Sequence, residues 1–366
     1  MMPRTSSRQE DIDIARAIAQ FIVVLNHIPQ YFQRYHLDHL DSTMCRWILT
    51  GVNYLHMPTF MLVAGYVLAG GRDDAGSLEG YWRFERKKLC RLILPFLSIS
   101  LMTLAIKMVL PGDSARGAGA SLLGMVTAPR SGVAPHLWFL WCLMSIFLVW
   151  PLIRRVIPEH LLPWVWGGLI VLAVWPIPWP TDVHGSPVLG LADLIWYLPM
   201  FMLGYLCRKR WHRLLAFGAK AALVAGAVAL AAMLVVVKAD TAGLPRGDLT
   251  VSAIRFTGHV AGGLCVLSVA GLIASRTVRP RAVLAGVGRR SYDIYLLHVA
   301  LVGHPLVLVI SRLHPGPVET YVYFAVALVA TMVVPIGIGE LIRRVPLLAC
   351  GMLGVPMRRA SASQAL

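Results

Sequence analysis

Residues 11–32, DIDIARAIAQFIVVLNHIPQYF, form an apolar run long enough to cross a bilayer, yet they carry Asp11, Asp13, Arg16, Asn26 and His27. Eleven helical steps of 100° return to within about 20° of the starting direction, so Arg16 and His27 project from one face, roughly 16 Å apart along the axis. Turning a charged Arg to lipid is costly even on the most lenient scale, so such residues by default face a bundle interior. Plainer readings exist for each residue alone. Arg16 can snorkel to the cytoplasmic surface beside Asp11 and Asp13, and His27 can be an interhelical hydrogen-bonding residue. Their shared phase favours the wall of a polar cavity.

Composition supports a membrane setting for that helix. Of the 366 residues, 57% are hydrophobic and 14% charged, and mean hydropathy is +0.67, whereas charged residues make up about a quarter of a soluble domain. Apolar runs recur from end to end, which predicts an all-α polytopic membrane protein. The leading MMPRTSSRQED has no apolar core closing on a small-residue cleavage site, so the first helix is expected to be a retained span. The net charge of +16 is dispersed in short basic blocks between apolar segments. That pattern orients membrane helices and argues against a nucleic-acid partner. The six cysteines are scattered, with neither a CxxC pair nor ligand-like spacing, so no disulfide framework and no metal site are expected.

About ten spans are predicted, near 12–32, 47–70, 89–110, 136–153, 162–180, 190–207, 215–237, 251–275, 291–311 and 319–342. With the N-terminus inside, the cytoplasmic segments hold twenty-four Lys and Arg against seven outside. Arg16, Lys107 and Arg255 fall within spans. This alternation predicts both termini in the cytoplasm of a multi-pass protein. Residues 1–366 read as one integral membrane domain, with no appended soluble domain and no internal repeat of the kind that builds many transporters.

Several constellations can carry chemistry. His56 lies in HMPTFMLVAGYVLAGG, where Pro58 frees backbone groups. The following stretch, RFERKKLCRLILP, is read as a basic cytoplasmic loop; its Arg86, Lys88 and Arg91 suit either anionic lipid or the phosphates of a cytoplasmic cofactor. His136 and Trp138 open the fourth span, as an interfacial aromatic belt or a sugar-stacking platform, and DLIWYLP adds Asp193, Trp196 and Tyr197. Arg255 and His259, four residues apart, share one face of the eighth span. The ninth opens RRSYDIYLLH, with Asp293 near the inner surface and His298 deeper; Glu340 is read as a partner of Arg343 or Arg344. Basic groups low in the bundle and histidines higher suit transfer of a group from a cytoplasmic donor, and equally suit a proton-coupled transporter.

Arg16 and His27, introduced by DIDIAR, match the R-x10-H signature of the acyltransferase family 3 membrane proteins. HMPTFMLVAGY, KKLCRLILP, HLWFL and RRSYDIYLLH follow in the family's order and extend the resemblance over nearly the whole chain. The chain departs from the usual LDGLR opening in reading IDIAR, which leaves the Arg and His in place. It resembles the compact bacterial branch that includes fucose O-acetylase-like and exopolysaccharide or glucan acyltransferases.

The resemblance implies an enzyme of the bacterial inner membrane that moves an acyl group, most often acetyl from acetyl-CoA, onto a hydroxyl of an extracytoplasmic or lipid-linked saccharide. Its partners would be the lipid bilayer, acyl-CoA, the saccharide and polysaccharide-assembly proteins. The expected catalytic residues are His27 as general base, with Arg16 and Asp13 below it. Arg16, Arg86, Lys88 and Arg91 are expected to hold the donor. His56, His136, Trp138, Arg255 and His259 are expected to shape the acceptor end. Direct transfer and a covalent acyl-His27 are both consistent with this placement. The competing function is a transporter of a saccharide or lipid-linked substrate through the same cavity.

Overall fold

The computed structural model describes residues 7–70, 78–109, 118–210, 218–276 and 279–356, apart from positions 38, 179, 181–187 and 246. Every regular element among them is helical. The helices are α1 (Ser7–Arg34), α2 (Ser42–Asn53), α3 (His56–Leu68), α4 (Leu78–Val109), α5 (Ala118–Thr127), α6 (Trp138–Val156), α7 (Leu162–Val174) and α8 (Leu191–Leu206). They continue with α9 (Gly218–Thr241), α10 (Leu249–Ala274), α11 (Arg279–Arg289), α12 (Ser291–Leu297), α13 (His304–Arg312), α14 (Pro317–Arg343) and α15 (Pro346–Leu353). A π-helical turn, His298–Gly303, joins α12 to α13.

Eight helical stretches are long and apolar enough to cross a membrane: Glu10–Arg34, Cys90–Met108, Pro135–Val156, Val188–Leu206, Gly218–Thr241, Leu249–Ala274, Ser291–Arg312 and Pro317–Arg343. They match eight of the ten expected spans. The expected span 47–70 is two helices, α2 and α3, that meet at Tyr54 and Leu55. Pro58 explains the break, because its ring excludes the carbonyl of the fourth residue before it, Tyr54, from a continuous helix. The expected span 162–180 is the 13-residue α7, which reaches about 20 Å at 1.5 Å per residue and stops ahead of the proline-rich WPIPWP. Of the basic residues that set the expected orientation, Arg4, Arg8, Arg72, Lys87, Arg116, Lys209, Arg210, Arg213, Arg246, Arg279, Arg358 and Arg359 lie outside the described side chains.

The basic stretch after α3 is no loop. Its described residues belong to α4, whose 32 residues run without a break from Leu78, and Arg83 pairs with Glu79 one turn back at 2.6 Å. Arg83, Arg86, Lys88 and Arg91 are therefore fixed on a helix.

The centre of the bundle is α1, packed against α2, α3, α10, α11 and α14. Of its apolar stretch 61% is buried, and of Ser291–Arg312 67%, against 28% in α9 and 22% in α14. The last two therefore turn most of their apolar surface to lipid. Lipid is as apolar as leucine, so helices associate in it by close packing. Glycines permit that approach where it positions functional residues. A Cβ at Gly65 of α3 would fall on the Phe201 carbonyl, and one at Gly204 of α8 on the Leu62 carbonyl. A Cβ at Gly288 would fall on the Asp13 carbonyl, so glycine there lets α11 set Arg289 beside Asp13.

Candidate active site

Arg16 and Asp13 lie one turn apart on α1, and the Arg16 guanidinium donates to the Asp13 carboxylate at 3.2 Å. Arg289 approaches the other carboxylate oxygen at 3.9 Å. Arg16 then lines a cavity of about 260 Å³ with Lys88 and Arg91 of α4 and Arg289 of α11. Four cations meet a throat walled by Phe60, Val63, Leu92, Leu143 and Phe147. Phe139 and Tyr295 also line it, their rings 5.8 Å apart. A charged, multiply donating mouth on an apolar throat suits a ligand with a polyanionic head and a slender, mainly apolar tail.

Arg86 stands apart from this cavity. It lines an adjoining groove of about 1010 Å³ with Arg83, Arg343 and Cys350. Arg91, Arg289 and Tyr292 line both spaces. In the wall of the groove Arg343 donates to buried Asp293 at 2.7 Å. Glu340 pairs with Arg290, a partner different from the two expected from sequence.

Tyr295 leads from the throat to the histidines. Its hydroxyl donates to the His136 carbonyl at 2.8 Å, and its ring lies 6.2 Å from that of His298. His298 is wholly buried at the start of the π-helical turn, a local widening that often marks functional positions. Its Nδ1 is 2.8 Å from the Tyr295 carbonyl. His27 makes the same kind of bond, Nδ1 to the Val23 carbonyl at 2.8 Å. A carbonyl only accepts, so in both rings Nδ1 carries the hydrogen and Nε2 the lone pair. His298 Nε2 lies 3.5 Å behind His27 Nδ1, with the rings edge-on at 5.1 Å. His136 is 6.0 Å from His298 on the other side, buried, with neither ring nitrogen hydrogen-bonded. This arrangement leaves His27 Nε2 able to take a proton. The resulting imidazolium would be stabilised through Nδ1–H by the Val23 carbonyl and by the lone pair of His298.

The remaining residues expected at the acceptor end divide into groups. Buried His56 bonds the Val52 carbonyl at the α2–α3 break. His259 packs on Tyr54 at 4.7 Å and Trp196 at 5.6 Å, and Arg255 faces Asp240 at 3.9 Å. Trp138 is covered on one face by the Arg130 guanidinium at 3.6 Å and neighbours Tyr197 at 5.6 Å. Arg130 in turn grips Asp193 through three bonds of 2.7–3.0 Å. Burial works against the Arg130 charge, but the Asp193 carboxylate outweighs it and raises the guanidinium pKa.

The structure thus brings together Arg16, Asp13, Lys88 and Arg91 at one end, and His27 and His136 at the other. It adds Arg289, Tyr295, His298 and Arg130, to which the sequence assigned no role in the site. His298 carried a usable signal, an ionisable residue deep in a span. Arg130 carried none, being one arginine in a Gly- and Ala-rich connection.

Among the described residues no cluster of three or more His, Cys, Asp or Glu could hold a metal ion. A family model described as an acyltransferase domain matches residues 9–340. No curated protein and no solved structure matches the chain. The matched segment contains Asp13, Arg16, both basic walls of the cavity and all three clustered histidines, and the chain belongs to the acyltransferase 3 family of multi-pass membrane proteins.

Proposed function

We propose that this acyltransferase takes an acyl group, acetyl from acetyl-CoA in the first instance, and esterifies a hydroxyl of an extracytoplasmic or lipid-linked saccharide. Exopolysaccharide or another surface glycan of a bacterium is the acceptor class that the sequence resemblance implies. The basic end of the bundle faces the cytoplasm in this reading, and the histidines lie toward the outside.

One observation carries the proposal: α1 joins a four-cation cavity at Arg16 to a hydrogen-bonded histidine group at His27. Arg16, Lys88, Arg91 and Arg289 would take the donor's phosphates, while Arg86 adds positive potential from the adjoining groove. Asp13 orients Arg16. The arm of the donor would follow the apolar throat and present its thioester to His27. As the acceptor oxygen bonds the carbonyl carbon, its proton passes to His27 Nε2. The C–S bond then breaks, and the departing thiolate takes that proton, giving the ester and coenzyme A. A covalent route uses the same atom: Nε2 first receives the acyl group as thiolate leaves, and the hydroxyl later displaces it, its proton passing to a neighbouring histidine. His56, His136, Trp138, Arg255 and His259 shape the acceptor's approach, which passes the Arg130–Asp193 pair.

The test is the O-acyl content of surface glycan in cells carrying wild type, His27→Ala or Arg16→Ala at equal membrane abundance. Loss of alkali-labile ester in both variants is expected. Wild-type ester in both would remove α1 from the reaction and redirect attention to transport through the same cavity.

A further inference from the structure

Many polar side chains in the bundle find partners, which makes Gln20 conspicuous. It is wholly buried, at 0% exposure, and neither its carboxamide oxygen nor its nitrogen has a hydrogen-bond partner. Among the described residues only His136 shares the property of being unpartnered at both of its polar atoms. Its neighbours Ala17, Ala19, Val23 and Val24 are buried and apolar. A leucine or methionine would fill such a site without stranding a donor and an acceptor, so the carboxamide calls for an explanation outside the packing.

Its position supplies one. Gln20 follows Arg16 by four residues and precedes His27 by seven, so all three fall within about 40° of one another around α1. It stands about 6 Å beyond Arg16 and about 10 Å short of His27 along the axis. Arg16 lines the cavity and Gln20 does not, so a tail that continued past Arg16 toward His27 would lengthen the cavity by one helical turn and meet Gln20.

We propose that Gln20 binds the amide-bearing arm of the acyl-thioester donor; this rests on the acyl-CoA reading above. A phosphate or carboxylate would satisfy only the nitrogen of Gln20, and a cation only its oxygen, whereas amides offer both N–H and C=O. The pantetheine arm carries two amides, about 4 Å and about 9 Å back from the sulfur at roughly 1.25 Å of extended reach per bond. With the thioester at His27, the farther amide comes level with Gln20. Gln20 is thus a specificity-determining residue for donors that possess that second amide.

The test measures Kd for acetyl-CoA, S-acetylpantetheine and the acetyl thioester of N-acetylcysteamine, which keeps only the nearer amide. The full chain in lipid nanodiscs is compared as wild type, Gln20→Leu and Gln20→Met, with the Tm of each unliganded protein. Both substitutions are expected to weaken the two pantetheine-containing probes about tenfold, as for a lost buried hydrogen bond. The short thioester should change by less than about twofold, and the unliganded Tm should hold or rise because a stranded amide has been removed. Unchanged affinity for all three probes overturns the proposal. So does a uniform loss accompanied by a lower Tm, which would make Gln20 a packing residue. A wild type that binds none of the three overturns the acyl-CoA reading itself, an outcome distinct from failure at Gln20.

Discussion

The two ends of α1 hold polar side chains in the membrane by different means. At the Arg16 end the groups are charged and paired with opposite charges: Arg16, which lines the cavity, with Asp13, Arg281 with Glu10, and Arg343 with Asp293. At the His27 end the rings donate to carbonyls of their own helices and meet edge-on. Charges with salt-bridge partners are suited to recognising a polyanion, because an incoming phosphate meets donors already oriented. Rings that keep a free lone pair are suited to moving a proton, because nothing need be broken before they accept one. In the proposed reaction one helix therefore separates recognition from chemistry by roughly 16 Å of rise, at 1.5 Å per residue over eleven residues.

If that separation is real, damage at the two ends must look different. His27→Ala should lower ester formation about a thousandfold, the middle of the range for a lost general base, while acetyl-CoA affinity stays within a factor of two or so. His298→Ala removes the lone pair behind His27 Nδ1, together with the ring's contacts to Tyr295 and His136, and should lower it about tenfold to a hundredfold, again with donor affinity intact. A turnover assay with saturating donor, run beside a direct binding measurement, separates these effects. Loss of donor affinity in either variant would mean that the histidines help bind the donor and that the two ends are one site.

The Arg130–Asp193 pair tests the comparison from the opposite direction, because it is a charged pair lying beside the histidine end. Arg130→Met leaves the buried Asp193 carboxylate without its fork. The expected loss is about 2 kcal/mol of stability, below the value for a fully buried pair because Arg130 is partly exposed. Arg130→Met combined with Asp193→Leu should recover part of it. Both are read as Tm in detergent or nanodiscs. A double variant less stable than Arg130→Met would show that Asp193 has further obligations at the acceptor end.

How much of this could be read in advance follows the reach of each signal. The shared face of Arg16 and His27 was legible because both residues lie on one helix, where phase and rise are fixed by geometry. The break before His56 was foreshadowed by Pro58. The helical run through Arg86, Lys88 and Arg91 was obscured by its charge density, which read as a loop; the pairing of Arg83 with Glu79 shows why it holds as helix. The contacts that complete the site were not legible, because they join residues far apart in sequence. His298 meets His27 271 residues away, and Arg130 meets Asp193 63 residues away. No local pattern records such meetings, and Trp138 illustrates the consequence: expected to offer a stacking face, it has one face under Arg130.

The smallest expected effects sharpen the basic end. Arg91 and Arg86 were read together as donor ligands, yet only Arg91 borders both the Arg16 cavity and the outer groove. Arg91→Ala should weaken acetyl-CoA binding about tenfold, as for a lost charge-assisted hydrogen bond. Arg86→Ala should weaken it about twofold, and that difference should fade as ionic strength rises toward 1 M, where the Debye length is about 3 Å. The contrast follows from geometry: a residue touching the ligand acts through oriented bonds that salt screens poorly, whereas one in the next groove acts through its field. Equal, salt-resistant losses in the two variants would place the donor's phosphates in the outer groove. The cavity at Arg16 would then receive only the arm, and the boundary between recognition and chemistry would shift toward His27.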